Sequence, residues 1–398
     1  MRTQQLALVL CAAVTFAAAV PATPTWAQDA TPIKIGFLAD LTGPFADVGK
    51  DMVEGTRLAL RKLDNKIAGR PVELNIQDSA GNPDTGLSKA RLLVEQSKVD
   101  LLAGVYHGGV AMSVAFYAKQ QKFPLVITAG GGASPVMNEV KPQPYVFRAS
   151  HSIRAMHVAL GYYASAVLGR RKAVSMAWDY VAGRDGAEGF KAGFEAGGGQ
   201  VIKQIFFKLG TPDFSPYFTS IPSDADVVQM FVTGADAVRF IKQYAELGYK
   251  VKFPLVADAL GVSDRLLPEI GDAAVGIVSN QTYMADAPTP GNREFVEAYV
   301  KDTGTKPGIE AAYSYAGMLW IARAIESVGG NVRDRAGLLK ALHSTTMPQS
   351  IRGPMSFNAT DDVIFTVNIT RVVKVGNALK HEVLRTYDKI DTNWSPRK

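Results

Sequence analysis

Apolar residues along this chain come in short runs, separated by glycine-rich polar turns and by longer stretches with a 3.6-residue rhythm. Ile33–Leu38 is such a run. It leads through Thr42-Gly43-Pro44 into a stretch from about Gly49 to Asp64, where Met52, Thr56, Ala59, Leu60 and Leu63 fall at helical spacing. The pattern repeats as strand 72–77, helix 85–98, strand 101–104, helix 110–121 and strand 124–128. Alternation of this kind requires parallel strands joined by crossover helices, an α/β layered sheet. The rhythm breaks at 141–148 and restarts. Strands are expected at 172–178, 201–206, 227–231 and 255–258, with helices at 185–196, 214–221 and 235–247. Two α/β units of similar length follow. Farther on, 277–281 reads as a strand, 308–328 as a long amphipathic helix and 335–345 as another. Residues 364–375 and 381–387 alternate as antiparallel strands do. That late mixture implies that the chain crosses between the units more than once.

The first 27 residues follow no such rhythm. Arg2 precedes an apolar stretch from Leu6 to Val20, then Pro21, Pro24 and Thr25-Trp26-Ala27. The stretch is short for a membrane span, and small residues at its end suit signal peptidase, so residues 1–27 are expected to be a cleaved export signal. Cys11 lies inside the apolar stretch, too early for a lipid-modified start. It is the one cysteine, so neither a disulfide framework nor a thiolate metal site is available. An exported protein without disulfides fits a bacterial periplasm. The 43 Lys and Arg against 37 Asp and Glu are dispersed, with no basic run beyond three residues; no nucleic-acid stripe results.

Signatures of catalysis are missing. There is no Gly-x-Ser-x-Gly, His-Glu-x-x-His, Cys-x-x-Cys or Gly-x-Gly-x-x-Gly. Gly43–Lys50 resembles a phosphate loop, but its glycines are one residue too far apart and Asp51 stands where Ser or Thr would hold magnesium. The five histidines are scattered, and His151 and His157, six apart, do not share a helix face. Neither an enzyme nor a metal or other cofactor is expected.

What remains is a set of loops after strands, the place where open parallel sheets bind ligands. They are Thr42–Val48 with Phe45 and Val48; Tyr106-His107-Gly108-Gly109; Ala129-Gly130-Gly131-Gly132; Asp179–Arg184 with Tyr180; Thr233-Gly234-Ala235; and Asp258. Glycines let backbone N–H groups approach an anion, and Gly108-Gly109 precedes a helix whose N-terminus suits a carboxylate. Phe45, Tyr106 and Tyr180 are either cleft walls or loop anchors. His107 is either a ligand contact or a satisfied polar residue. Arg184 either grips a carboxylate or pairs with Asp185 or Asp179. Tyr283 is either a cleft wall or hinge packing.

Ile33–Leu38 running into Leu41-Thr42-Gly43-Pro44-Phe45-Ala46, with Gly49 and Gly55, resembles the opening of the leucine/isoleucine/valine-binding protein family. Those proteins are periplasmic solute receptors of ABC importers. Gln77-Asp78-Ser79, Ala103-Gly104, Gly271-Asp272-Ala273-Ala274-Val275-Gly276 and Tyr313–Ala324 are similar to later family landmarks. The resemblance implies the two-lobed type I periplasmic binding fold: α/β lobes, each a three-layer unit on a parallel sheet, joined by three hinge crossings. It implies lobes of 31–148 plus 283–350 and 149–282 plus 351–398. It also implies a non-catalytic monomer that closes on a small ligand and delivers it to a membrane permease; a periplasmic sensor on the same fold is the alternative role. Serine or threonine side chains that grip an amino acid's carboxylate in the family are replaced here by Gly108-Gly109 and Gly131-Gly132. Aromatic residues that close over it are replaced by Gly183 and Gly234. An aromatic or other apolar carboxylate is therefore expected rather than an amino acid, although Asp258 would suit an ammonium.

Overall fold

The structure, a computed structural model, describes residues 31–130, 132–138 and 145–396. The export signal expected at 1–27 lies outside the described residues.

The expected alternation builds two sheets. Strands β1 (Ile33–Ala39), β2 (Lys66–Ile67), β3 (Arg70–Asp78), β4 (Leu101–Gly104), β5 (Leu125–Ile127) and β6 (Val146–Arg148) form the first, in the order β2-β3-β1-β4-β5-β6. Apart from the β2–β3 hairpin it is parallel. β4 and β5 are wholly buried runs, as strands covered on both faces must be. The second sheet holds β7 (Lys172–Trp178), β8 (Gln200–Phe207), β9 (Val227–Phe231), β10 (Leu255–Ala257), β11 (Val278–Gln281), β12 (Ser356–Phe357), β13 (Val363–Val375) and β14 (Ala378–Ile390). It runs β12-β13-β11-β10-β9-β7-β8, with β14 on β13. β7 to β11 are parallel, whereas β13 pairs antiparallel with β11 and β14.

In each sheet one strand pairs in parallel with neighbours on both sides and is followed by crossovers in opposite directions: β1 between β3 and β4, and β7 between β8 and β9. The carboxyl ends beside these reversals are where doubly wound sheets leave a crevice.

The chain passes between the sheets three times, after β6, after β11 and before β12, and the passages are tied together by buried polar groups. Arg148, at the end of β6, donates from Nε to Asp362 Oδ1 at 2.8 Å and from an η nitrogen to Oδ2 at 2.6 Å, with both side chains fully buried. Arg352 donates to the carbonyls of Ala149, at 2.8 Å, and Ser150, and lies 3.5 Å over the Tyr313 ring. Tyr313 in turn bonds Thr282.

Several elements differ from expectation. The strand Val146–Arg148 and the helix Ile153–Tyr162 occupy the break in the rhythm; the first ends in a buried arginine, and the second is apolar nearly all round, so neither shows a period. The helix Asn292–Thr303 is likewise additional. The helix expected at 214–221 is one turn, Ser215–Phe218. Ile309–Ser327 is buried on almost every side rather than amphipathic, because it packs against the first sheet and against the helices Ala46–Lys62 and Arg335–Ser344.

Candidate ligand site

Between the lobes, the loops at both strand reversals meet. They enclose a void of about 20 Å³ lined by Tyr106, His107 and Gly108 from after β4, Tyr180 and Ala182 from after β7, and Thr233 from after β9. Gly130, Gly132, His151, Ile153, Phe231 and Leu260 complete it. That volume holds about one water, so the lobes are closed around it. Thr233 also borders two wider cavities. One, of about 140 Å³, reaches Val48, Asp51, Arg265 and Glu310; the other, of about 300 Å³, reaches Phe45, Val48 and Trp178. A larger hollow of about 750 Å³ along 285–297 shares no lining residue with any of these. It lies away from both reversals and is not the candidate site.

Three helices begin at the void. His107 precedes Gly108–Gln121, Tyr180 precedes Val181–Ala196 and Thr233 precedes Gly234–Glu246, and no side chain caps any of the three. Each start carries unpaired backbone N–H donors and the positive end of a helix dipole, and two lobes contribute them. Their sum favours an anion in the cleft.

Aromatic rings supply the walls. His107 and Tyr180 face each other across the lobes, nearly parallel at 13°, with centroids 5.8 Å apart. Phe45 lies 5.4 Å from Tyr106 and 5.6 Å from His107, and Trp178 6.0 Å from Tyr180. The lobes touch closely here: a Cβ at Gly108 would come within 2.9 Å of Val181.

Buried polar atoms without partners cluster around the same void: His107 Nδ1 and His151 Nδ1 among them. Burial lowers both imidazoles' pKa, and for His151 the nearby Arg352 and Arg148 lower it further, so both are neutral. Neither His151 nor Leu260 was expected at the site; His151 follows the one strand hidden in the rhythm break. Glu310, also unexpected, lies in the first turn of an apolar helix and carries no motif.

Asp258 is not an open seat for an ammonium. It is 1% exposed, and its Oδ1 accepts the Leu260 N–H at 2.9 Å. Its Oδ2 stands 3.4 Å from His157 Nε2. His157 Nδ1 lies 2.8 Å from the Ile153 carbonyl, which fixes the proton on that nitrogen and leaves Nε2 an acceptor. Burial drops His157 to about 4 and lifts Asp258 to about 7, so the pair is an acid beside a neutral imidazole rather than two charges.

Other expected residues lie elsewhere. Arg184 points away from the cleft: more than half exposed, it pairs with Asp179 at 2.6 Å and lies 4.5 Å over Phe206. It joins the surface because the first turn of its helix turns it outward, while Ala182 and Gly183 face in. Tyr283 packs on Phe295 in the core of the hinge, 5% exposed. Ala129 is a core residue beneath Gly130 rather than a wall. Gly131 lies outside the described residues. Gly183 does not widen the cleft: a Cβ there would overlap the Trp178 carbonyl, so the glycine serves close approach of its helix to β7. Gly234 does leave open space.

At the mouth, Arg265 of the second lobe bonds Asp51 of the first, which also accepts the Tyr299 hydroxyl at 2.7 Å. Among the described residues no group of three His, Cys, Asp or Glu is placed to hold a metal, and no helix is long and apolar enough to cross a membrane.

The chain matches the family described as periplasmic binding protein over residues 32–377. It is 31% identical over 334 residues to Leu/Ile/Val-binding protein homolog 6 of Brucella melitensis, spanning 82% of this chain and 83% of that one. Its structure is similar to an ABC transporter substrate-binding protein from Sphaerobacter thermophilus, with a TM-score of 0.86 and 34% identity, covering 91% and 99% of the two chains. It is also similar to a solute-binding protein of an ABC transporter from Rhodopseudomonas palustris BisB5 in complex with 3,4-dihydroxybenzoic acid, with a TM-score of 0.84 and 30% identity over 90% and 98%. Two lobes on reversing parallel sheets, a cleft at the reversals and a match from residue 32 to 377 together place this chain in the Leu/Ile/Val-binding family of periplasmic binding proteins, the substrate-binding components of ABC transporters.

Proposed function

We propose that this protein is a periplasmic receptor that closes on an aromatic carboxylate and hands it to the permease of an ABC importer. The observation that carries the reading is the meeting of three uncapped helix N-termini, from both lobes, at a cleft whose facing walls are the rings of His107 and Tyr180. The helix starts hold the carboxylate through backbone N–H groups, a role for which no arginine is needed. A flat ring between His107 and Tyr180 needs their faces about 7 Å apart, two contact distances of about 3.5 Å, which a small parting of the lobes provides. The occupied state of Asp258 weighs against an ammonium, and the Rhodopseudomonas relative's bound dihydroxybenzoic acid supports a ring. The lobes are taken to be 31–148 with 283–350 and 149–282 with 351–398, with residues 1–27 removed on export and the chain acting as a monomer without catalysis.

Titration calorimetry with benzoate, 3,4-dihydroxybenzoate, leucine and valine tests this. Micromolar or tighter binding of an aromatic acid is expected, weakened about twofold to tenfold in His107→Ala and Tyr180→Ala, as the loss of one ring contact implies. Tight binding of leucine or valine with no heat from either aromatic acid would overturn it.

A further inference from the structure

The cavity of about 140 Å³ beside the void shares Tyr106, Thr233 and Leu260 with it, so the two spaces abut along one wall. Their chemistry is opposite. The void is ringed by helix N-termini; the cavity is lined by carboxyl groups, with Arg265 as its cation. Arg265 is engaged by Asp51 and stands 3.9 Å from Asp47. Asp51 is satisfied by Arg265 and by Tyr299. Glu269 is exposed to water, and Glu310 is the buried carboxyl left over.

Glu310 opens the helix Ile309–Ser327, and a carboxylate in a first turn is ordinarily a surface residue that gains from the helix dipole at no cost in desolvation. This one is 7% exposed. Among the described residues no side chain donates to it, and its own backbone N–H is the hydrogen bond that its carboxyl has. Burial, joined by the charge of Asp51, pushes it up to about 7. A buried carboxyl on a cavity wall that has only its own backbone N–H as donor leaves acceptor capacity unused, and that costs stability. Ionised or protonated, it can accept a hydrogen bond.

We propose that Glu310 reads a ring hydroxyl at the end of the ligand remote from its carboxylate. This rests on the aromatic reading above and narrows it: the preferred ligand is a hydroxylated benzoate, its carboxylate at the helix starts, its ring between His107 and Tyr180, and its hydroxyl donating to the Glu310 carboxyl across the Tyr106–Thr233 wall. A monocyclic hydroxy acid carries its two polar ends on opposite sides of a ring, which suits two abutting spaces of opposite character. A zwitterionic amino acid carries both charges on one carbon.

Calorimetry on the wild type with benzoate, 3-hydroxybenzoate, 4-hydroxybenzoate and 4-methoxybenzoate tests the proposal without any variant. At least one hydroxybenzoate is expected to bind about tenfold or more tighter than benzoate, and methoxybenzoate, which cannot donate, to lose that gain. Glu310→Ala should abolish the preference and leave benzoate affinity within about twofold. Glu310→Gln, whose amide oxygen still accepts, should keep part of it. Equal affinity for benzoate and both hydroxybenzoates overturns this inference and leaves the aromatic reading standing. So does a Glu310→Ala variant that weakens benzoate as much as the hydroxy acids, since that marks a purely structural role. Absence of heat from every aromatic acid overturns both.

Discussion

A Cβ at position 130 would overlap the backbone and ring of Tyr106, and Gly130 sits at φ +47°, where a side chain is strained in any case. One residue thus brings the turn after β5 against the turn after β4, and Tyr106 forms a wall of both the void and its neighbouring cavity. Gly130→Ala is expected to lower stability by about 1–3 kcal/mol and to weaken ligand binding through Tyr106, as read by denaturant titration and calorimetry. Asp258 makes a different kind of residue-scale argument. Its folded pKa, about 7, stands above its ordinary 3.8, so its ionisation opposes folding. The penalty is absent below about pH 4, where the acid is protonated in both states. It grows as pH rises toward 7 and is constant beyond. The buried histidines slope the other way: His157, at about 4 in the fold, favours the folded state more as pH rises from 4 to about 6.5. The difference between wild type and Asp258→Asn isolates the first effect, because the amide still accepts from Leu260. The variant's melting temperature should exceed the wild type's at pH 8 and match it at pH 4; an equal gain at both would show that the carboxyl is not buried neutral.

Helix starts, rather than side-chain cations, define the electrostatics of the cleft, and this separates what the sequence discloses from what it conceals. Loops at strand ends were legible because glycine and polar residues follow apolar runs, and eight of the expected site residues (Phe45, Val48, Tyr106, His107, Gly108, Gly130, Tyr180 and Thr233) line the connected cavities. Legibility stopped where a residue's direction matters. Arg184 has the right charge in the right loop, yet the helix begins at Val181, and one turn of rotation sends its guanidinium to Asp179 and Phe206. Arg184→Ala is accordingly expected to change ligand affinity by less than about twofold, since an exposed pair contributes little; a tenfold loss in calorimetry would return the arginine to the cleft. His151 and Glu310 were illegible for a related reason. His151 lies between two serines in the rhythm break and Glu310 in an apolar helix, and only the tertiary fold turns each toward the cavities. Likewise Arg148 reads as the end of an apolar pattern, whereas its partner Asp362 is far along the chain.

At the scale of the molecule, closure is held at its edges. The hinge side has the buried Arg148–Asp362 pair, and the open side has Arg265 reaching from one lobe to Asp51 of the other. The Arg265 side chain is about one-third exposed, so the contact is partly screened. Arg265→Ala is expected to enlarge the radius of gyration of the unliganded protein in scattering and to weaken ligand by about fivefold, on the order of 1 kcal/mol. An unchanged radius and affinity would mean that the contact follows closure without favouring it.

The interleaving of the chain also governs when the protein can fold. Strands β1 to β6 come from the first 148 residues, yet one of the helices that pack on their sheet is Ile309–Ser327. The second sheet lacks β13, against which β11 pairs, and β14, which pairs with β13, until residue 390 is present. Neither lobe has a complete hydrophobic interior while the chain is still emerging. Contacts of such long sequence separation form slowly. Were the chain exported unfolded, as the signal expected at 1–27 implies, this order would keep both halves open until nearly all of it had passed.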